Sequence, residues 1–141
     1  MAETTLTWKE KFTFDVDLDN HHFVLDASKE NGGDDRGPRP KGLLLTALAG
    51  CTGMDVVSIL EKMKHKDFTF QLKVTADNET THPMVYKNVV LSYIFQGDDL
   101  KAENVKKAVH LSEDKYCAVS AMLKKSFDIK VLIIINGEEI S

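Results

Sequence analysis

Apolar and polar positions alternate in part from Leu6 through Trp8, Phe12 and Phe14 to Val16, as in a half-buried strand, and His22 to Ala27 repeats the theme after Asp19-Asn20. The pattern predicts a hairpin at the start of the chain. Residues 30–40 are a loop by composition, because glycines and prolines break any regular ladder, and Pro40 is placed to open a helix at its first turn. From Lys41 to about Lys64 no proline intervenes. Leu43, Leu44, Leu45, Ala47, Leu48, Met54, Val56, Val57, Ile59, Leu60 and Met63 surround the axis almost completely, which predicts a long buried helix. Clean alternation returns at Phe68–Ala76 and Val85–Phe95, giving two more strands. Leu100, Val105, Ala108, Val109 and Leu111 recur at helical spacing. Ser112-Glu113-Asp114 has turn and N-cap composition ahead of a short helix from about Tyr116 to Lys125, and Phe127–Ile135 is a β-branched, buried strand. The order ββ, long helix, ββ, helices, β segregates strands from helices, so the class is α+β.

The 141 residues suit one domain, spanning 1–141, with room for a real core. A 24-residue apolar helix would run about 36 Å, longer than such a domain needs to cross its own core, which points to a twofold homodimer with the helices packed together. Lys and Arg total 18 against 22 Asp and Glu, without a basic stripe, so nucleic acid is not expected as a partner. The first residues lack the pattern of a signal peptide, and no uninterrupted apolar run reaches membrane-spanning length, so the expectation is a soluble cytoplasmic protein without a membrane partner.

Chemistry concentrates at the two cysteines, Cys51 and Cys117. They stand 66 positions apart, outside the short spacings that hold zinc, so no metal site and no cofactor is predicted. If both thiols share one pocket, a thiolate can attack an electrophile such as a peroxide and then close to a disulfide. Cys51 lies on a helix stripe with Leu44, Leu48, Asp55 and Ser58, beside the small Ala47, Ala49, Gly50 and Gly53. The plain alternative is a small core residue at a tight helix crossing. Cys117, near a helix N-terminus with Lys115 and His110 close in sequence, is either a thiol favoured as thiolate or a buried first-turn residue. The adjacent His21 and His22 point to opposite faces of a strand and read as exposed, and Ser58 and Ser120 lack hydrolase partners at recognisable spacing.

The segment from Pro40-Lys41-Gly42 through Ala49-Gly50-Cys51-Thr52-Gly53-Met54-Asp55 resembles the central-helix motif of the OsmC/Ohr family of organic hydroperoxide reductases, and Ser112 through Tyr116-Cys117-Ala118-Val119-Ser120 resembles its second cysteine motif. The resemblance implies an OsmC-like α+β fold, a curved antiparallel sheet wrapped around a long central helix, and an intertwined homodimer. It further implies a thiol-dependent peroxidase in which Cys51 is the peroxidatic thiolate and Cys117 the resolving thiol. The resulting disulfide would be reduced by a dithiol or lipoyl-type reductant, with Leu44, Leu48 and Met54 lining an apolar pocket for the organic hydroperoxide. One departure stands out. Family peroxidases carry a glutamate directly after the proline eleven residues before the peroxidatic Cys, where it holds an activating arginine; here that position is Lys41. Arg36, Arg39 and Lys41 are therefore the candidates for thiolate activation. The alternatives are a small-ligand-binding protein of the same fold whose cysteines are catalytically slow, and a dimeric structural module.

Overall fold

Where one long first strand is predicted, the computed structural model, which describes residues 1–140, has two. Strands β1 (Thr4–Glu10) and β2 (Thr13–Leu18) are separated by a turn at Lys11, whose φ of 47° lies in the left-handed region. The alternation of side chains continues on both sides of that turn, so the pattern alone hides it. Strand β3 (His21–Leu25) follows a second turn in which Asp19 and Asn20 take φ values of 51° and 61°. Two successive left-handed residues make the hairpin turn whose twist matches the flanking strands, and short Asx side chains tolerate that conformation. The three strands form an antiparallel sheet in the order β1-β2-β3.

The chain divides into two compact units, Met1–Leu44 and Leu45–Ser141. In the first, the buried Asp26 carboxylate organises the loop after β3. It accepts from the backbone N–H groups of Ala27 (2.7 Å), Arg36 (3.1 Å) and Asp34 (3.3 Å) and from the Thr13 hydroxyl (3.2 Å). Burial pushes its pKa up, but these donors outweigh burial and hold the carboxyl below its ordinary value. Gly37 is required beside this loop because a Cβ there would collide with the Val24 carbonyl.

The second unit is built on a four-stranded sheet in the order β4-β5-β6-β7, from β4 (Thr69–Asn78), β5 (Tyr86–Gln96), β6 (Ile129–Ile135) and β7 (Glu138–Glu139). A wholly antiparallel sheet is thereby corrected: β5 and β6 run parallel, with Val89 opposite Ile129 and Phe95 opposite Ile135. The reason lies in the connection. Helix α2 (Ala102–Leu111), a single π-helical turn (Ser112–Tyr116) and helix α3 (Ala118–Leu123) carry the chain back to the same end of the sheet, as parallel pairing demands. Helix α1 (Gly42–Lys62) puts Leu48, Thr52, Val56 and Leu60, spaced four apart, into the core formed with Val89, Leu91, Tyr93, Phe95, Val105, Val109 and Ile133. Phe70 on β4 stacks on Phe95 with ring centroids 4.3 Å apart.

The long helix is not buried all round. Leu44, Met54 and Val57 are exposed, Met54 by 77%. By length and a mean hydropathy of 1.9, α1 is long and apolar enough to cross a membrane. Its 48-52-56-60 stripe nonetheless packs in a protein core and its Asp55 is hydrogen-bonded to Ser112, the partners of a core helix.

Candidate functional site

Cys51 and Asp55 are one helical turn apart on α1, so they share a face beside the core stripe. Opposite them the chain leaves α2 through the π-helical turn. A turn of this kind adds a residue to the helical path and re-aims the chain beyond it. It brings Ser112 under α1, where its Oγ donates to Asp55 Oδ2 at 2.9 Å, and it delivers Cys117 in an extended conformation (φ −77°, ψ 106°) as the N-cap of α3. The Sγ atoms of Cys51 and Cys117 and a carboxylate oxygen of Asp55 all lie within 4.8 Å of one another. Both thiols are free; Cys51 is half-buried and Cys117 is 3% exposed.

Cys117 caps its helix rather than sitting inside the first turn, and its electrostatics favour the buried-residue reading of the two that the sequence leaves open. Its Sγ accepts the Ser120 N–H at 3.3 Å. Burial raises the thiol pKa, the N–H groups of Ser120 and Val119 lower it, and the neighbouring Cys51 raises it again, leaving it at about 11. Burial and a neighbouring thiol outweigh the N-terminal donors, so Cys117 is a protonated thiol at neutral pH.

A buried polar cluster supports this cap. Glu113, 8% exposed, accepts from the Tyr93 hydroxyl at 2.7 Å and from Ser120 Oγ at 3.2 Å, and pairs with Lys124 Nζ at 3.4 Å; the same ammonium donates to the Glu113 carbonyl at 2.8 Å. Burial, reinforced by the Glu113 charge, drives the Tyr93 pKa upward, so the phenol stays a donor. Three elements are thereby tied together through one carboxylate: β5 through Tyr93, the π-helical turn through Glu113, and α3 through Ser120 and Lys124. Among the described residues no buried side-chain polar atom lacks a partner.

The remaining candidates fall elsewhere. In the N-terminal unit, Arg36 pairs with Glu10 (3.1 Å) and Asp34 (3.7 Å), and Arg39 pairs with Asp35 and donates to the Gly37 carbonyl at 2.8 Å. Both guanidiniums are thus engaged by carboxylates of their own unit, to which Lys41 and the exposed Leu44 also belong. Leu48 is a core residue with 0% exposure. Met54 lines an apolar groove of about 460 Å³ with Ala49, Gly50, Val57, Phe70 and Leu72. His110 is exposed on a separate surface groove with Glu103, Lys106 and Asp114, and His22 lies beside Asp15 and Asp17. The sequence pattern puts Asp55 on the Cys51 stripe without assigning it a role, and Ser112 and Glu113 carry only turn composition. The readable signal was a carboxylate four positions after a cysteine on a helix.

A long helix that packs on a mixed sheet and carries one thiol opposite a second, buried one defines an α+β dithiol protein. The chain belongs to the OsmC-like protein family, which matches residues 32–132. It is 33% identical to the protein YhfA of Escherichia coli K12 over 127 residues, covering 90% of this chain and 92% of the relative. Among solved structures it is similar to a protein of Aquifex aeolicus VF5 (28% identity, TM-score 0.81, covering 99% of this chain and 98% of the other). It also shares its fold with an organic hydroperoxide resistance protein of Elizabethkingia anophelis (19% identity, TM-score 0.70, 96% of each chain).

Proposed function

We propose that this protein is a thiol-dependent peroxidase that reduces organic hydroperoxides. The observation that carries the reading is the proximity of the Cys51 and Cys117 sulfurs, supported by family membership and by the shared fold with an organic hydroperoxide resistance protein. The Cys51 thiolate attacks the terminal peroxide oxygen; the S–O bond forms as the O–O bond breaks, and the alkoxide takes a proton to leave as alcohol. The Cys117 thiol then attacks the Cys51 sulfenic acid, forming the S–S bond and releasing water, with its own proton completing that water. An external dithiol, of lipoyl type by family resemblance, reduces the disulfide by exchange and is itself oxidised. The two cysteines divide the work by exposure: the half-buried Cys51 meets substrate, and the buried, protonated Cys117 stays out of reach of peroxide until a sulfenic acid is presented to it.

The exposed Met54 and Val57 supply apolar surface for a second copy of the chain, so the working form is a homodimer, and the part of the apolar groove lined by Ala49, Gly50, Phe70 and Leu72 suits an organic tail better than hydrogen peroxide. Residues 1–141 act as one OsmC-like domain in this reading, in the cytoplasm, where a dithiol reductant keeps the pair cycling. The test is the intact mass and free-thiol count of reduced protein before and after one equivalent of cumene hydroperoxide, beside Cys51→Ser. Loss of both thiols in the parent and of neither in the variant is expected. Unchanged thiols at excess peroxide would shift the assignment to a ligand-binding protein of the same fold.

A further inference from the structure

The geometry points to a second use of the reduced site: we infer that Cys51, Asp55 and Cys117 form a three-ligand site for zinc. Two sulfurs and a carboxylate oxygen lie within 4.8 Å of one another, and they come from two separate elements, α1 and the N-cap of α3. Around a tetrahedral zinc with Zn–S of about 2.3 Å and Zn–O of about 2.0 Å, ligand atoms stand roughly 3.5–3.8 Å apart. Closing the observed spread to that geometry takes at most about 1.3 Å between any two ligand atoms, within the reach of side-chain rotation. Three protein ligands leave the fourth position open to water or to a small thiol.

The donor set selects the ion. Two thiolates favour zinc and other thiophilic cations over magnesium or calcium, whose sites are built from oxygen, and a single carboxylate completes a compact anionic trio that a divalent cation neutralises. The surroundings are built for it as well. Ser112 Oγ donates to Asp55 Oδ2 at 2.9 Å, the outer hydrogen bond that orients a carboxylate ligand, and Ser112 is itself fully buried. The Cys117 backbone is held by its N–H to the Ser112 carbonyl at 2.9 Å, so the two residues that present ligand and support move as one. Sequence spacing argued against a metal because the cysteines are 66 positions apart; the fold removes that objection by crossing α1 against the turn that ends in Cys117.

Binding is written as a balanced exchange: both thiols lose their protons to solvent, two Zn–S bonds and one Zn–O bond form, and no electrons move. Oxidation of the pair to a disulfide removes two of the three ligands and expels the ion. Zinc therefore occupies the dithiol state only, and a zinc-loaded chain is one whose cysteines are withheld from peroxide.

The site is tested with purified full-length protein, reduced with a phosphine under anaerobic conditions, stripped with a chelator and desalted. Zinc is titrated against a chromophoric competitor, and cobalt(II) in parallel. The expected result is one zinc per chain, together with a thiolate-to-cobalt charge-transfer band and the visible ligand-field bands of a tetrahedral site. Ser112→Ala, which removes only the outer hydrogen bond, is expected to weaken binding by about 10–100-fold, and Asp55→Asn and Cys51→Ser by at least as much. Circular dichroism checks the fold of each variant; Cys51 is only half-buried, so Cys51→Ser keeps the test decisive if Ser112→Ala fails to fold. No zinc uptake by the reduced parent would overturn the assignment, and so would uptake unchanged in Cys51→Ser or in the disulfide form, or uptake abolished by His22→Ala. The titration contains no peroxide, so its failure leaves the peroxidase reading standing, and absent peroxide turnover leaves the zinc titration valid.

Discussion

Replacing Tyr93 by Phe removes one oxygen from the centre of the second unit and tests whether the Glu113 cluster holds the Cys117 cap in place. The Tyr93 hydroxyl is fully buried and donates at 2.7 Å to a carboxylate that is itself 8% exposed. A hydrogen bond to a charged group contributes about 1.5–3 kcal/mol net. Glu113 keeps Ser120 Oγ at 3.2 Å and Lys124 Nζ at 3.4 Å after the substitution, so it is weakened rather than orphaned, and the expected loss is about 2 kcal/mol. In a chain of this length that is a fall in Tm of roughly 4–8 °C. Urea denaturation at one fixed protein concentration should show a lower midpoint with an unchanged slope. Ser120→Ala should cost less, about 1 kcal/mol, because its bond is longer. The double variant should lose less than the sum of the two, since both hydroxyls serve the same carboxylate. A loss below about 0.5 kcal/mol for Tyr93→Phe, or strict additivity with Ser120→Ala, would refute the view that Glu113 ties β5 to α3.

Three further outcomes are expected. Asp26 has its folded pKa held below the ordinary 3.8, so its contribution is present above that value and disappears as pH falls through the folded pKa; thermal unfolding between pH 7 and 3 should show Asp26→Asn less stable than the parent at neutral pH and the gap closing in acid. Cys117, with its pKa raised to about 11, should resist iodoacetamide at pH 8 while Cys51 reacts, and its alkylation, followed by peptide mass, should speed up roughly tenfold per pH unit towards pH 11; equal labelling at pH 8 would sink the assignment of a protonated thiol. Gly50→Ala meets no atom within 4 Å of the added Cβ and should stabilise the helix by about 0.5–1 kcal/mol, whereas at Gly53 the Cβ falls 2.9 Å from Leu72 Cδ1 and the gain should be cancelled; a destabilised Gly50→Ala would mean that a second surface is seated there.

Most of the fold was legible because its elements announce themselves locally. The alternation in β4 and β5, the proline-free apolar run of α1 and the β-branched Ile129–Ile135 are each decided by residues within one element. The misreadings came where a turn does not disturb the period. At Lys11 one predicted strand is two, and the final hairpin has no counterpart among the predicted elements although Asn136-Gly137, both left-handed, carries the turn signature. The parallel pairing of β5 with β6 was a different kind of miss, since pairing direction depends on where a connection ends and not on the residues of either strand. For the same reason the all-round apolar α1 suggested burial on every side, while one unit covers only the stripe from Leu48 to Leu60.

The site divides along the same line. That the two cysteines matter was legible from their small neighbours and from motif resemblance; what surrounds them was not, because Asp55, Ser112 and Cys117 are brought together by a π-helical turn that no local pattern announces. The departure at Lys41 acquires a physical meaning from that geometry. The expected family carboxylate would follow the proline in the loop and act through an arginine, whereas here the loop arginines are engaged by Glu10, Asp34 and Asp35 in their own unit. The carboxylate that does reach the sulfurs is Asp55, on the helix itself, held by Ser112. Lys41→Glu, which restores the loop residue alone, should consequently leave peroxide reactivity unchanged, because Arg36 and Arg39 stay paired with Glu10, Asp34 and Asp35, as stopped-flow thiol oxidation would read; a faster rate in Lys41→Glu would refute the view that those ion pairs keep the arginines from the thiol.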